Sequence, residues 1–334
     1  MKNNWKTRGE QLLMLRSMYS GISGLKNFQT KLDVIGNNIS NVNTYGFKKG
    51  RVVFKDLISQ TTAGASGPTG ATGGTNAKQI GLGAQIAAID TIHGTGSLQT
   101  TARTLDLAIS GDGFFMVGDS TQAPNADGEI AADSGFNNVL YTRAGNFYMD
   151  RNGYLVNSDG KYLVGVSNDQ LYDQVVEESV SNAETDKAEA TAAIGTDSLY
   201  ADGAIVVDGY GPIKVPTNAQ SMSIGQDGTV TYVDVNGKLQ FAGQLLLAKF
   251  PNAGGLEKTG NNYYQMTQNS GDPSVQIATQ QGIGAVVSGA LEMSNVDLSE
   301  EFTEMIVTQR GFQANSRIIT TSDEILQELV NLKR

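Results

Sequence analysis

The chain has 334 residues and a formal net charge of −10, with 39% apolar and 7% aromatic side chains. That length allows about two or three domains, and the acidity argues against a general nucleic-acid binder, which presents a basic stripe. No cysteine and a single histidine exclude disulfides, thiol catalysis, cysteine–zinc sites and multi-histidine metal sites.

The N-terminus MKNNWKTRGEQLL lacks the apolar core of a secretory signal, and no later run approaches the roughly 18–20 apolar residues of a membrane span. Residues 1–13 carry no pattern and read as a leader foreign to the rest of the chain. Beyond them Met18, Leu25, Leu32 and Ile39 recur every seven residues, with Phe28, Ile35 and Val42 offset by three. This a/d seam predicts a helix from about Leu15 to Val42. Its end carries Asn37, Asn38, Asn41 and Asn43. Uncharged amides suit a surface that meets copies of itself, where one-signed charge would repel. They equally suit a helix terminus fraying into the turn at Tyr45-Gly46.

Residues 46–100 read as an extended or flexible connector, because Thr61–Gly83 is rich in glycine and threonine and almost uncharged. From 101 to 294 the apolar period changes to two. Asp112-Gly113, Asn152-Gly153, Asp159-Gly160, Asp227-Gly228 and Asn236-Gly237 supply hairpin turns, so a mainly antiparallel β body is expected. An acidic, helix-prone insertion near 168–195 interrupts it. The chain closes on a second helix within 295–334. There Leu298, Met305, Phe312, Ile319 and Leu326 recur every seven residues, flanked by Phe302, Ile306, Ile318, Ile325 and Leu329. Ser299, Glu300 and Glu301 at its start and Lys333 and Arg334 at its end complement the helix dipole. The fold class is α+β and multidomain: terminal helices 14–45 and 295–334 form a coiled-coil inner domain, with the β body between them.

No catalytic constellation emerges. His93 reads as a surface or turn residue. DRNGYLV and DVNGKLQ begin like calcium loops, but position 12 is Lys161 in one and Leu245 in the other, so they are turns. GLGAQI and GIGAVV do not complete a dinucleotide fingerprint. The chain is read as neither an enzyme nor a holder of any cofactor or metal. The two terminal stripes either pack on each other within one molecule or are covered by neighbouring copies; a long isolated helix pair is marginal in water.

Met18–Leu57 (MYSGISGLKNFQTKLDVIGNNISNVNTYGFKKGRVVFKDL) and Gly289–Arg334 (GALEMSNVDLSEEFTEMIVTQRGFQANSRIITTSDEILQELVNLKR) resemble the terminal motifs of the bacterial flagellar rod and hook axial proteins. TGSLQTTARTLDLAISGDGFFMV and YTRAGNFYMDRNGYLVNSDGKYLVG resemble their shared β domain. Within the family the likeness is nearest to the hook branch, with the distal rod as the alternative; the body is shorter than in the longer hook proteins. The resemblance implies export through the flagellar secretion apparatus and self-assembly into a hollow curved tube acting as a universal joint. It implies an extracellular or basal-body location, with distal rod, hook cap and hook–filament junction proteins as neighbours. The expected subunit interface comprises Met18, Leu25, Phe28, Leu32, Ile35, Asn37, Asn38, Ile39, Asn41, Val42, Leu298, Phe302, Met305, Phe312, Ile319 and Leu326.

Overall fold

The computed structural model describes residues 4–70, 73–120, 136–167, 200–201, 204–205 and 210–331. They fall into two compact units. The first comprises Met1–Val42, Lys49–Ile92 and Val296–Arg334, and the second Asn43–Lys48 and His93–Asn295.

The first unit holds the two long helices, α1 (Asn4–Ser40) and α2 (Leu298–Asn331). The first begins well before Leu15, so most of the proposed leader is helical. It ends two residues short of Val42, where the backbone winds on as a turn, with Val42 N donating to Ile39 O. The cap of α2 is Asp297 rather than Ser299. Its Oδ1 accepts from Ser299 N at 2.8 Å and more weakly from Glu300 N at 3.4 Å, meeting two otherwise unpaired amides. The last residues, with Lys333 and Arg334, lie outside the described residues.

Much of the expected connector is a paired ribbon. Strand β1 (Gly50–Asp56) runs antiparallel to β4 (Ala84–Thr91), and β2 (Ser59–Ala63) to β3 (Lys78–Gly81). Both strands of the β2–β3 pair are exposed throughout. Small uncharged side chains let this segment pair without a core, and its sequence hides the pairing because no alternation marks it.

The second unit is the β body. Its strands are β5 (Leu98–Thr100), β6 (Leu107–Ser110), β7 (Phe114–Ser120), β8 (Phe136–Thr142), β9 (Tyr148–Met149), β10 (Leu155–Val156) and β11 (Tyr162–Ser167). Short β12 (Tyr200–Ala201) and β13 (Ala204–Ile205) pair with each other; β14 (Gly211–Pro212), β15 (Ser221–Ile224), β16 (Thr229–Val233) and β17 (Leu239–Lys249) come next. The last are β18 (Glu257–Gly260), β19 (Tyr263–Gln265), β20 (Ser274–Ile277), β21 (Ala285–Ser288) and β22 (Ala290–Glu292). The main sheet has the order β15-β16-β17-β11-β7-β8-β19-β18, with shorter strands branching from it, and every pairing is antiparallel.

Runs such as Phe114-Phe115-Met116-Val117 and Leu245-Leu246-Leu247-Ala248 are continuous rather than alternating, because this sheet is covered on both faces. Phe115, Val117, Leu245 and Leu247 join one buried cluster; Phe114, Met116, Leu246 and Ala248 join another. The five Asp-Gly and Asn-Gly glycines all have positive φ, as turns require. Four close hairpins, but Asp112-Gly113 links β6 to β7, which pair elsewhere, β6 with β21. The acidic insertion near 168–195 lies outside the described residues.

Candidate assembly surface

Within the first unit the helices run antiparallel. A methyl group built on Gly21 would lie 3.5 Å from Ile319, one on Gly24 2.7 Å from the Asn315 amide, and one on Gly311 2.8 Å from the Phe28 ring. Gly24 and Gly311 allow the close approach, whereas a methyl at Gly21 would sit at ordinary contact distance. Lys31 and Glu304 form an ion pair at 3.0 Å further along. The face of α2 turned inward repeats every seven residues as Glu301, Thr308, Asn315 and Ser322, so the seam is half polar. Thr308 and Ser322 are buried and donate to the backbone of their own helix, at Glu304 O and Ile318 O. No pattern of apolar residues marks these positions.

Asn38 is buried at one end of the pair. Its Nδ2 donates to Gly50 O at 2.9 Å and to Glu301 Oε2 at 3.1 Å, while its Oδ1 accepts from Gly50 N at 2.9 Å. One amide thus joins α1, β1 and α2, taking the place of a strand neighbour for Gly50. Burial pushes the Glu301 carboxyl above its ordinary range, partly opposed by the Asn38 hydrogen bond. Asn38 is therefore spent inside the molecule, not free for a neighbouring copy. Asn41 Nδ2 bonds the Asn37 side chain and carbonyl at 2.8 and 2.9 Å, a local helix-end arrangement.

The remaining expected interface residues divide by exposure. Ile35 is buried, and Phe28 packs toward Gly311 and edge-on to Phe54 of β1. Met18, Leu25, Leu32, Ile39, Val42, Met305, Phe312, Ile319 and Leu326 are half-buried. Leu298 and Phe302 are exposed, Phe302 by 49%. Beside them stand Ile306, Val307 (62%), Ile318, Ile325 and Val330 on α2, and Tyr19 (68%) and Ile22 on α1. Tyr19, Val307 and Val330 are invisible to the heptad pattern because they fall off its seam. A single molecule thus leaves an apolar surface on both helices, and no described helix is long and apolar enough to cross a membrane.

The second unit holds a buried charge cluster instead. Lys48 Nζ donates to Glu292 Oε1 at 2.6 Å and to Gly94 O at 2.8 Å. Arg143 reaches Glu292 Oε2 at 3.2 Å and Gly111 O at 2.9 Å, and Gly96 N donates to Glu292 Oε1 at 2.9 Å. All three charged side chains are buried. Desolvation lowers the Lys48 amine, opposed by Glu292. His93 lies beside this cluster, half-buried among aromatic rings, and not at a surface turn as expected; nothing in AIDTIHGTGSL signals the distant residues that cover it.

Compared with known proteins, residues 18–48 match the family described as "Flagella basal body rod protein". Residues 108–232 match "Flagellar hook protein FlgE/F/G D1 domain", and residues 287–332 match "Flagellar basal body rod FlgEFG protein C-terminal". The flagellar basal-body rod protein FlgG of Bacillus subtilis is 52% identical over 322 residues, covering 96% of this chain and all of that one. The flagellar hook protein FlgE of Borreliella burgdorferi is 34% identical over 461 aligned positions, again covering 96% of this chain and all of that one. A crystal structure of Helicobacter pylori flagellar hook protein FlgE2 aligns with 58% of this chain and 100% of its own at 11% identity and a TM-score of 0.37, too low to bear on the fold. The chain belongs to the structural family of bacterial flagellar rod and hook axial proteins.

Proposed function

We propose that this chain is the subunit of the distal rod, polymerising through its terminal helices into a straight hollow shaft that carries torque outward from the flagellar basal body. Length carries this reading. The rod relative aligns over 322 residues, close to the full length of both chains. The hook relative needs 461 positions against the 334 residues here, so a long stretch of it has no counterpart. That difference and the higher identity favour distal rod over hook, the opposite of the order suggested by the motifs. The hook remains the second reading, favoured by a hook relative that is 34% identical and covers 96% of this chain.

Assembly arises from the exposed helical surface. Phe302, Ile306, Val307, Ile318 and Ile325 are each about half exposed, so covering the rest of each contributes about 1 kcal/mol. Several such contacts per subunit, repeated along the polymer, act against an association cost of about 4–15 kcal/mol. A head-to-tail contact that does not close gives an open helical polymer, with coiled-coil packing of the helices arising between copies. Distal partners are the neighbouring rod and hook proteins, and delivery is by the flagellar export apparatus.

Electron microscopy of tubes formed by the purified protein tests both readings. Straight tubes are expected for the distal rod; curved tubes make the protein a hook subunit, and no tubes at any concentration refute both. Leu32→Asp is expected to abolish polymerisation while leaving the circular dichroism of the β unit intact.

A further inference from the structure

His93, the only histidine of the chain, lies edge-on to Phe114, with centroids 5.6 Å apart, and to Tyr264 at 5.3 Å. Both ring nitrogens are buried, and neither has a hydrogen-bond partner among the described residues. The charged groups around it come from four other segments. Lys48 precedes β1, Arg143 comes just after β8, Lys258 sits on β18, and Glu292 ends β22; Tyr264 of β19 adds a hydroxyl held neutral by burial. Glu292, the single carboxylate, is already shared by Lys48 and Arg143. Lys258 Nζ stands 4.9 Å from the Phe47 ring centroid and donates to Lys48 O at 3.0 Å. The segment His93–Ser97 carries no charge of its own. An imidazolium here would be a fourth cation facing one carboxylate, with no acceptor for either N–H.

The same segment helps to close the charge cluster, since Gly94 O accepts from Lys48 and Gly96 N donates to Glu292. Moving the ring out therefore removes a bond from each member of the central ion pair. We propose that His93 is an acid-sensitive latch of the β unit, whose protonation expels the His93–Ser97 segment and opens the Lys48–Glu292–Arg143 network. Burial, with the three cations adding to it, holds the imidazole down to about 4. Below about 6.5 the unfolded chain takes up a proton that the folded chain refuses, so stability falls with pH from there and the loss is complete near 4.

Proton NMR of the single histidine in the full chain reads this directly, alongside near-ultraviolet circular dichroism and thermal melts from pH 7.5 to 3.5. The imidazole resonance is expected to stay flat through about 6.5 and to titrate together with loss of the near-ultraviolet signal. Lys258→Met, which removes one facing cation, is expected to raise that midpoint by about half a unit. His93→Phe, which keeps the ring and removes the proton site, is expected to lose less melting temperature on acidification than the wild type. A midpoint at the ordinary histidine value, or titration without change in the near-ultraviolet signal, overturns the proposal. So does a midpoint unmoved by Lys258→Met. Should His93→Phe fail to fold, the Lys258→Met shift and the wild-type titration still decide.

Discussion

Phe115 and Phe302 are the same side chain in opposite circumstances. In the β unit Phe115 is sealed edge-on against Phe147, its strand covered on both faces. In the helical unit Phe302 stands half in water beside Ile306 and Val307, while the face turned toward α1 carries Glu301, Thr308 and Ser322. The β unit completes its burial within one chain. The helical unit spends polar groups on its internal seam and leaves apolar ones outside, the reverse of what a monomer would choose. That inversion suits a helix pair covered by further copies, in line with membership of an axial-protein family.

The largest test of this contrast is Phe115→Ala, expected to cost about 3–5 kcal/mol by leaving a cavity in a closed core, read from denaturant unfolding. Glu292→Gln strands Lys48 and Arg143 without their shared carboxylate and is expected to cost about 3 kcal/mol. Adding Lys48→Met to Glu292→Gln should cost less than that, because one buried cation, Arg143, is then left without the carboxylate instead of two. A double variant as unstable as the single one would show that packing, not charge, closes the cluster. Asn38→Ala should cost about 1–3 kcal/mol and speed hydrogen exchange at the Gly50 amide, its partner across the α1–β1 junction. Smallest for the monomer is Ile325→Ser, within about 0.5 kcal/mol. Yet it should raise the protein concentration needed for tubes; unchanged assembly would mean that this part of α2 faces solvent in the polymer too.

Local chemistry made much of the fold legible. The turn glycines Gly153, Gly160, Gly228 and Gly237 fall where the Asn-Gly and Asp-Gly pairs place them, and the seven-residue recurrences mark both helices. What escaped depends on distant partners. Asn38 and Glu301 are 263 residues apart in sequence, and a buried amide looks the same on paper as an exposed one. The ribbon escaped because β1 and β4 are separated by a stretch with no apolar alternation. His93 escaped because its cover comes from β7 and β19. Asp297 was readable as a cap, but the neighbouring serine is as good a candidate by type.

Strands β11 and β14 lie side by side, with Val164 opposite Pro212 and Gly165 opposite Gly211. The chain therefore leaves the sheet and returns to it through one doorway. Closing a loop across such adjacent posts costs only about 0.6 kcal/mol more for each doubling of its length. The β unit can thus carry an added module of almost any size there without disturbing its own strands. Insertion at this point and packing of the β unit's own strands are therefore separable, so one can be altered without renegotiating the other.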